Sequence, residues 1–155
     1  MNETIKIIEP SIEVSELQKE IINELSCILP NSSVESIGSM AVPISGKSEI
    51  DVMVVSGSVD ADSKLLIDKG YKQGPVIREV AYLNIKRNGI RVDLQILPVG
   101  HKMIETHRRI LIKLREDQVL RKAYEQFKKS LDGAPNDEYK QRKMAWIKDN
   151  ILSEK

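Results

Sequence analysis

A chain of 155 residues that is 41% hydrophobic, 30% charged and 4% aromatic suits one soluble domain with a single sizeable core and excludes a second large one. No run approaches the ~20 apolar residues of a membrane helix, and MNETIKIIEP sets acidic residues and Pro10 where a leader keeps a basic flank and an apolar run, so a cytoplasmic protein without a membrane partner is expected. The net charge of +1 conceals a split: residues 1–100 carry 10 Lys and Arg against 14 Asp and Glu, and residues 101–155 carry 14 against 9, an acidic, metal-attracting part joined to a basic one.

In chain order, Ser15 and Gln18 form a capping box, and Leu17, Ile21, Leu25, Ile28 and Leu29 recur at helical spacing until Pro30 forbids continuation. Cys27 falls in this helix and is expected to be buried and inert. It cannot form an intramolecular disulfide, and one cysteine with two histidines cannot complete a Cys/His zinc site. Val34 to Ile37 is a short β-prone run ending at Gly38. Glu49 to Val55 alternates as a strand, with Ile50, Val52 and Val54 on one face and Asp51 and Met53 on the other. After Ser58 a helix of about ten residues closes at Gly70.

Ala81 to Arg87 and Ile90 to Leu97 flank Asn88 and Gly89, the dipeptide that best supplies both positive-φ positions of a type I′ turn. The two-residue loop sets the register: Ile85 opposite Val92, Leu83 opposite Leu94, Asn84 opposite Asp93, Lys86 opposite Arg91, and Tyr82 opposite Gln95. One face is core; the other presents Asp93, Asn84, Gln95, Lys86 and Arg91.

From Gly100 the period is helical, through Ile104, Leu111 and Leu114, then Leu120, Tyr124, Phe127 and Leu131, then Tyr139, Lys143, Trp146, Ile147 and Ile151. Tyr124, Phe127 and Trp146 read as packing residues. The basic run Arg108, Arg109, Arg115, Arg121, Lys122, Lys128 and Lys129 reads as the wet face of paired helices, with nucleic-acid contact as the lesser alternative. His101 and His107 lack the spacing of a helical ligand pair. Central strands and terminal helices predict an α/β (α+β) fold, a small mixed sheet with flanking helices and a helical C-terminal third.

The chemistry-bearing constellation is Gly38-Ser39, Asp51 on one strand and Asp93 on a later one. A glycine allows the close turn and a serine offers its N–H and hydroxyl to phosphate oxygens, while carboxylates on neighbouring strands share a divalent cation. Lys47, Lys86 and Arg91 are candidate phosphate ligands by predicted face and proximity.

The stretch VESIGSMAVPISGKSEIDVMVV resembles the signature of the GrpB-like family, within the polymerase-β-type nucleotidyltransferases, through Val34, Glu35, Ile37, Gly38, Ser39, Ala41, Val42, Pro43, Lys47 and Asp51. Leu114-Arg115, Tyr124, Lys128, Leu131, Tyr139, Lys143, Trp146 and Ile147 match its helices, so the resemblance covers about residues 12 to 152. It implies a nucleotidyltransferase fold over 1–155, with Gly38 and Ser39 on nucleotide phosphates and Asp51 and Asp93 on Mg2+. The implied activity moves a nucleotidyl group from a nucleoside triphosphate to an unnamed acceptor.

The chain departs from that pattern at Met53, where active members of the superfamily carry a second carboxylate two residues after the first; a thioether is a poor Mg2+ ligand. The alternative reading is therefore a catalytically degenerate nucleotide-binding or interaction module. Ser36, Met40 and the Asp93–Gln95 pair depart too, standing where the family commonly has His, Thr and a His-x-His strand.

Overall fold

The computed structural model describes residues 4–38, 42, 44–47 and 49–153. The strands are β1 (Ile7–Ile8), β2 (Ser33–Ile37), β3 (Gly46–Lys47), β4 (Glu49–Ser56), β5 (Lys72–Ile77), β6 (Val80–Arg87) and β7 (Ile90–Pro98). The helices are α1 (Ile12–Ile28), α2 (Val59–Asp68), α3 (Lys102–Glu116), α4 (Gln118–Lys129) and α5 (Asn136–Asn150). Five strands form a mixed sheet in the order β2-β4-β7-β6-β5, and β1 pairs with β3. Strands β4 and β7 run parallel at its centre, while β2 with β4, β6 with β7 and β5 with β6 are antiparallel.

Period-two alternation gives the sheet two apolar faces. Ile50, Val52 and Val54 of β4 join Leu83, Leu94 and Ile96 beneath α1 and α2, which bury Val14, Leu17, Ile21, Leu25 and Leu66 against them. On the opposite face Met53, Val80 and Leu97 pack under Ile104, Leu111, Leu114, Tyr124 and Ile147 of the three C-terminal helices. The Trp146 ring stacks on Tyr124 at 5.2 Å and on Phe127 at 5.4 Å between centroids, so these aromatics pack the helical layer as expected.

The hairpin register is the predicted one, Arg87 opposite Ile90 through Tyr82 opposite Gln95, with φ of 54° at Asn88 and 77° at Gly89. Strand β5 was not predicted. Its Gly74-Pro75 reads as a breaker, and the structure accommodates both residues where the pairing with β6 shifts register, at an exposed sheet edge.

Three other expectations are corrected. Helix α1 begins earlier than the Ser15 capping box: the N-cap is Ser11, whose hydroxyl accepts from the Val14 N–H. Cys27 is exposed, because it lies two positions past the buried Leu25, about 200° around the helix. Lys128, read as part of the wet basic face, is fully buried, since it continues the i, i+4 stripe from Tyr124 that faces the sheet.

At the start of α2, Asp62 accepts hydrogen bonds from both Ser32 Oγ and Ser56 Oγ at 2.6 Å, tying the helix to β4 and to the turn that leads into β2. Ser56 is buried. Asp62→Ala strips two donors of their shared partner and is expected to cost about 2 kcal/mol in urea unfolding.

Candidate active site

Asp51 sits in β4 directly beside Asp93 of β7, each the other's register partner. Because β4 and β7 are parallel neighbours, both carboxylates emerge on the same side of the sheet. Glu49, two residues before Asp51, emerges there too. One carboxylate oxygen from each of Glu49, Asp51 and Asp93 lies within 4.8 Å of the others. Asn84 stands on the far side of Asp93 as its β6 partner.

The triad lies in a cleft of about 770 Å³ between the sheet, β5 and α5, lined also by Lys47, Arg91, Tyr82, Gln95, Asn136, Lys140 and Lys143. That volume falls within the range of small-molecule sites.

Three close carboxylates are costly to ionise together, and the surrounding cations compensate only in part. Burial pushes the Asp51 carboxyl up to about 6; Lys143 and Lys47 pull it down, whereas Glu49 and Asp93 push it further up. Burial likewise raises Asp93, against a fork from Arg91, whose Nε lies 2.9 and 3.0 Å from its two oxygens. Lys47 Nζ is 3.4 Å from Glu49 and 3.4 Å from the Asn136 Oδ1 that accepts from it. The Tyr139 ring lies under both Lys47, at 5.1 Å, and Lys143, at 5.7 Å, so the acidic floor faces a wall of ammonium groups.

Gly38 ends β2 against this floor. Its φ is 80°, and a Cβ placed there would lie 2.7 Å from Asp51 Oδ2, so both conformation and space call for glycine. Gly38→Ala is expected to displace the Asp51 carboxylate, lowering divalent-cation affinity several-fold by calorimetry at a stability cost of about 1–2 kcal/mol.

The structure thus gathers Lys47, Asp51, Arg91 and Asp93 around one cleft, with Gly38 packed against the Asp51 side chain. Lys86, paired with Arg91 in register, is exposed and is not among the residues lining it. Ser39 lies outside the described residues. Sequence reasoning missed Glu49, although its place two residues before Asp51 put it on the same strand face. Met53, weighed as the lost second carboxylate, is fully buried in the apolar layer beneath the helices. Counted from Glu49, the carboxylate two residues on is Asp51 itself. Asn136, Lys140 and Lys143 were missed because helical periodicity does not reveal which strand residues a helix will face.

Oxygen donors alone, arranged on neighbouring strands, suit a hard divalent cation rather than a thiolate-seeking metal. Such a cation would offset the burial and the carboxylate repulsion that raise Asp51 and Asp93.

The family model described as GrpB protein matches residues 4–152. A conserved protein GrpB from Enterococcus faecalis has a similar structure, with a TM-score of 0.82 and 26% identity over 94% of each chain. The Cid1 poly(U) polymerase matches 73% of this chain and 39% of its own, with a TM-score of 0.53 and 16% identity. A cytoplasmic RNA terminal U-transferase matches the same shares, with a TM-score of 0.54 and 15% identity. The fold is that of the polymerase-β-type nucleotidyltransferases, in line with the sequence expectation. The curated proteins include no match. Among the described residues no helix is long and apolar enough to cross a membrane.

Proposed function

The chain belongs to the GrpB family, and we propose that residues 1–155 form one nucleotidyltransferase domain that binds a nucleoside triphosphate with Mg2+ and transfers its nucleotidyl group to an acceptor nucleophile. The observation that carries this reading is the convergence of Glu49, Asp51 and Asp93 at adjacent register positions opposite the lysines of α5. It is supported by the fold relative Cid1, whose structures include complexes with a UTP analogue and with Mg and 3′-dATP.

In this reading Glu49, Asp51 and Asp93 hold the cation, which when bound supplies charge neutralisation at the reacting phosphate. Lys47, Lys140 and Lys143 bind the polyphosphate oxygens, and Gly38 leaves room for the backbone of its turn to approach them. Arg91 is released from Asp93 as the carboxylate turns to its ligand, freeing the guanidinium for a phosphate. The acceptor oxygen attacks the α-phosphorus and pyrophosphate departs. The protein's part in such chemistry is positioning and electrostatic compensation.

Met53 gives no support to a degenerate site, because its side chain belongs to the core and Glu49 supplies the extra carboxylate. Calorimetry with ATP, GTP, CTP and UTP, with and without Mg2+, is expected to detect binding that requires the metal. Failure of all four to bind in its presence overturns the reading.

A further inference from the structure

One step along β7 from the acidic triad, the cleft changes character. Gln95 follows Asp93 by two residues and so shares its face, about 7 Å further on. Its register partner on β6 is Tyr82, and both line the cleft with Pro75 and Ile77 of β5. An aromatic ring beside an amide, one sugar's reach from a cation and phosphate site, is the composition of a nucleobase subsite.

The amide is oriented from behind. His107 of α3 places Nε2 3.0 Å from Gln95 Oε1. Burial and the nearby charge of Lys143 lower the pKa of the His107 imidazole, and the geometry sets Nε2 against an amide oxygen, the pairing of an Nε2–H donor with its acceptor. With its oxygen engaged, Gln95 has only its NH2 to offer the cleft. Turning the amide over would set that NH2 against Nε2 and require the His107 hydrogen on Nδ1 instead.

We propose that Gln95, positioned by His107, donates a hydrogen bond to the exocyclic carbonyl of the nucleobase, so that the site prefers uracil and guanine nucleotides over those with an exocyclic amine at the same place. The proposal rests on the nucleotide reading of the acidic cleft. Gln95 is the specificity-determining residue and His107 a positioning residue that touches no ligand. A donor-only group gains a partner from a carbonyl and is left facing another donor by an amine, a difference of about tenfold in affinity.

The test is calorimetry on the full chain with Mg2+ and, separately, UTP, CTP, GTP, ATP and inorganic tripolyphosphate. Wild type is expected to bind UTP about tenfold tighter than CTP, and GTP about tenfold tighter than ATP. Gln95→Leu and the uncharged, similarly sized Gln95→Met are expected to remove that preference while tripolyphosphate affinity stays within about twofold. His107→Phe, which leaves Gln95 in place but free to rotate, is expected to do the same. Equal binding of the two members of each pair by wild type overturns the inference, as does a Gln95 variant that weakens tripolyphosphate as much as UTP. If tripolyphosphate itself fails to bind with Mg2+, the phosphate-site reading falls and the base subsite with it; if it binds and the preference is absent, only the base subsite falls.

Discussion

Asp51→Asn is expected to weaken divalent-cation binding by at least about a hundredfold and, in the same protein, to raise the stability of the metal-free fold by about 2 kcal/mol at pH 7. Both effects come from one carboxylate. Asp51 lies against Gly38, beside Glu49 and Asp93, and its carboxyl is pushed from 3.8 to about 6 by burial and by those two neighbours. The folded chain therefore keeps this proton to a higher pH than the unfolded chain does. Stability contributed by the protonated form is fully present below about 3.8 and is lost as pH rises to about 6. At neutral pH the ionised group opposes folding, and a cation that binds only the folded form offsets that opposition. Asparagine retains the shape, removes the charge and removes a ligand. Thermal melts between pH 4 and pH 7 with metal chelated are expected to show the wild-type decline and a flatter variant. Calorimetric titration with Mn2+ or Mg2+ should report the lost affinity. A variant that melts lower and binds cations as well as wild type would place Asp51 in a structural role alone.

Lys128→Met is expected to stabilise the protein by roughly 3 kcal/mol at pH 7. The ammonium is fully buried, makes no hydrogen bond and lies 4.8 Å from the Tyr124 ring centroid. Burial first, and then the charge of Lys143, lowers it from 10.5 to about 7, while Glu125 and Asp51 pull the other way. Between those limits the unfolded chain holds a proton that the folded chain has shed, so wild-type stability climbs as pH rises from about 7 towards 10.5. Methionine fills similar space with nothing to desolvate, and the climb should vanish from the variant's denaturant midpoints. A second readout is the site itself. Asp51 favours the charged form of Lys128, and that charge repels a cation bound at Asp51, so its loss is expected to strengthen cation binding at neutral pH even as the fold becomes more stable. Lower stability in the variant would mean that the cation's attraction to Tyr124, Glu125 and Asp51 exceeds the cost of burying it.

What was legible in the amino-acid sequence follows from how local the determining physics is. The hairpin could be read to the residue because Asn88 and Gly89 supply the positive φ values of a two-residue turn, which then fixes every cross-strand pair. Alternation alone put Asp51 and Met53 on one face of β4, and the hairpin put Asp93, Asn84 and Gln95 on one face of the β6–β7 pair. The pairing of β4 with β7 was not local. The two strands are joined through α2, β5 and β6, and no turn between them dictates register. That Asp51 lies beside Asp93 therefore required the structure.

The misses share this cause or a related one. Gly74 and Pro75 concealed β5 because an edge strand tolerates residues a central strand rejects. Lys128 lay inside a basic run, and composition cannot say which lysine turns inward. Period-two alternation places Glu49 on the Asp51 face, but the superfamily pattern sets the second carboxylate two residues after the first, at Met53, and so points away from it. Lys143 and His107 took their places from helix packing against the sheet, which periodicity locates as a face but not as a contact.

The central claim is that three carboxylates on β4 and β7 form a cation site that also receives a polyphosphate. Its most direct test is an electron paramagnetic resonance titration of Mn2+ into the protein at pH 7.5, with and without tripolyphosphate. The account predicts saturable loss of the free Mn2+ signal, strengthened by tripolyphosphate and abolished in both Asp51→Asn and Asp93→Asn. Undiminished free Mn2+ in the presence of excess wild-type protein and tripolyphosphate, or equal uptake by wild type and both variants, would contradict it.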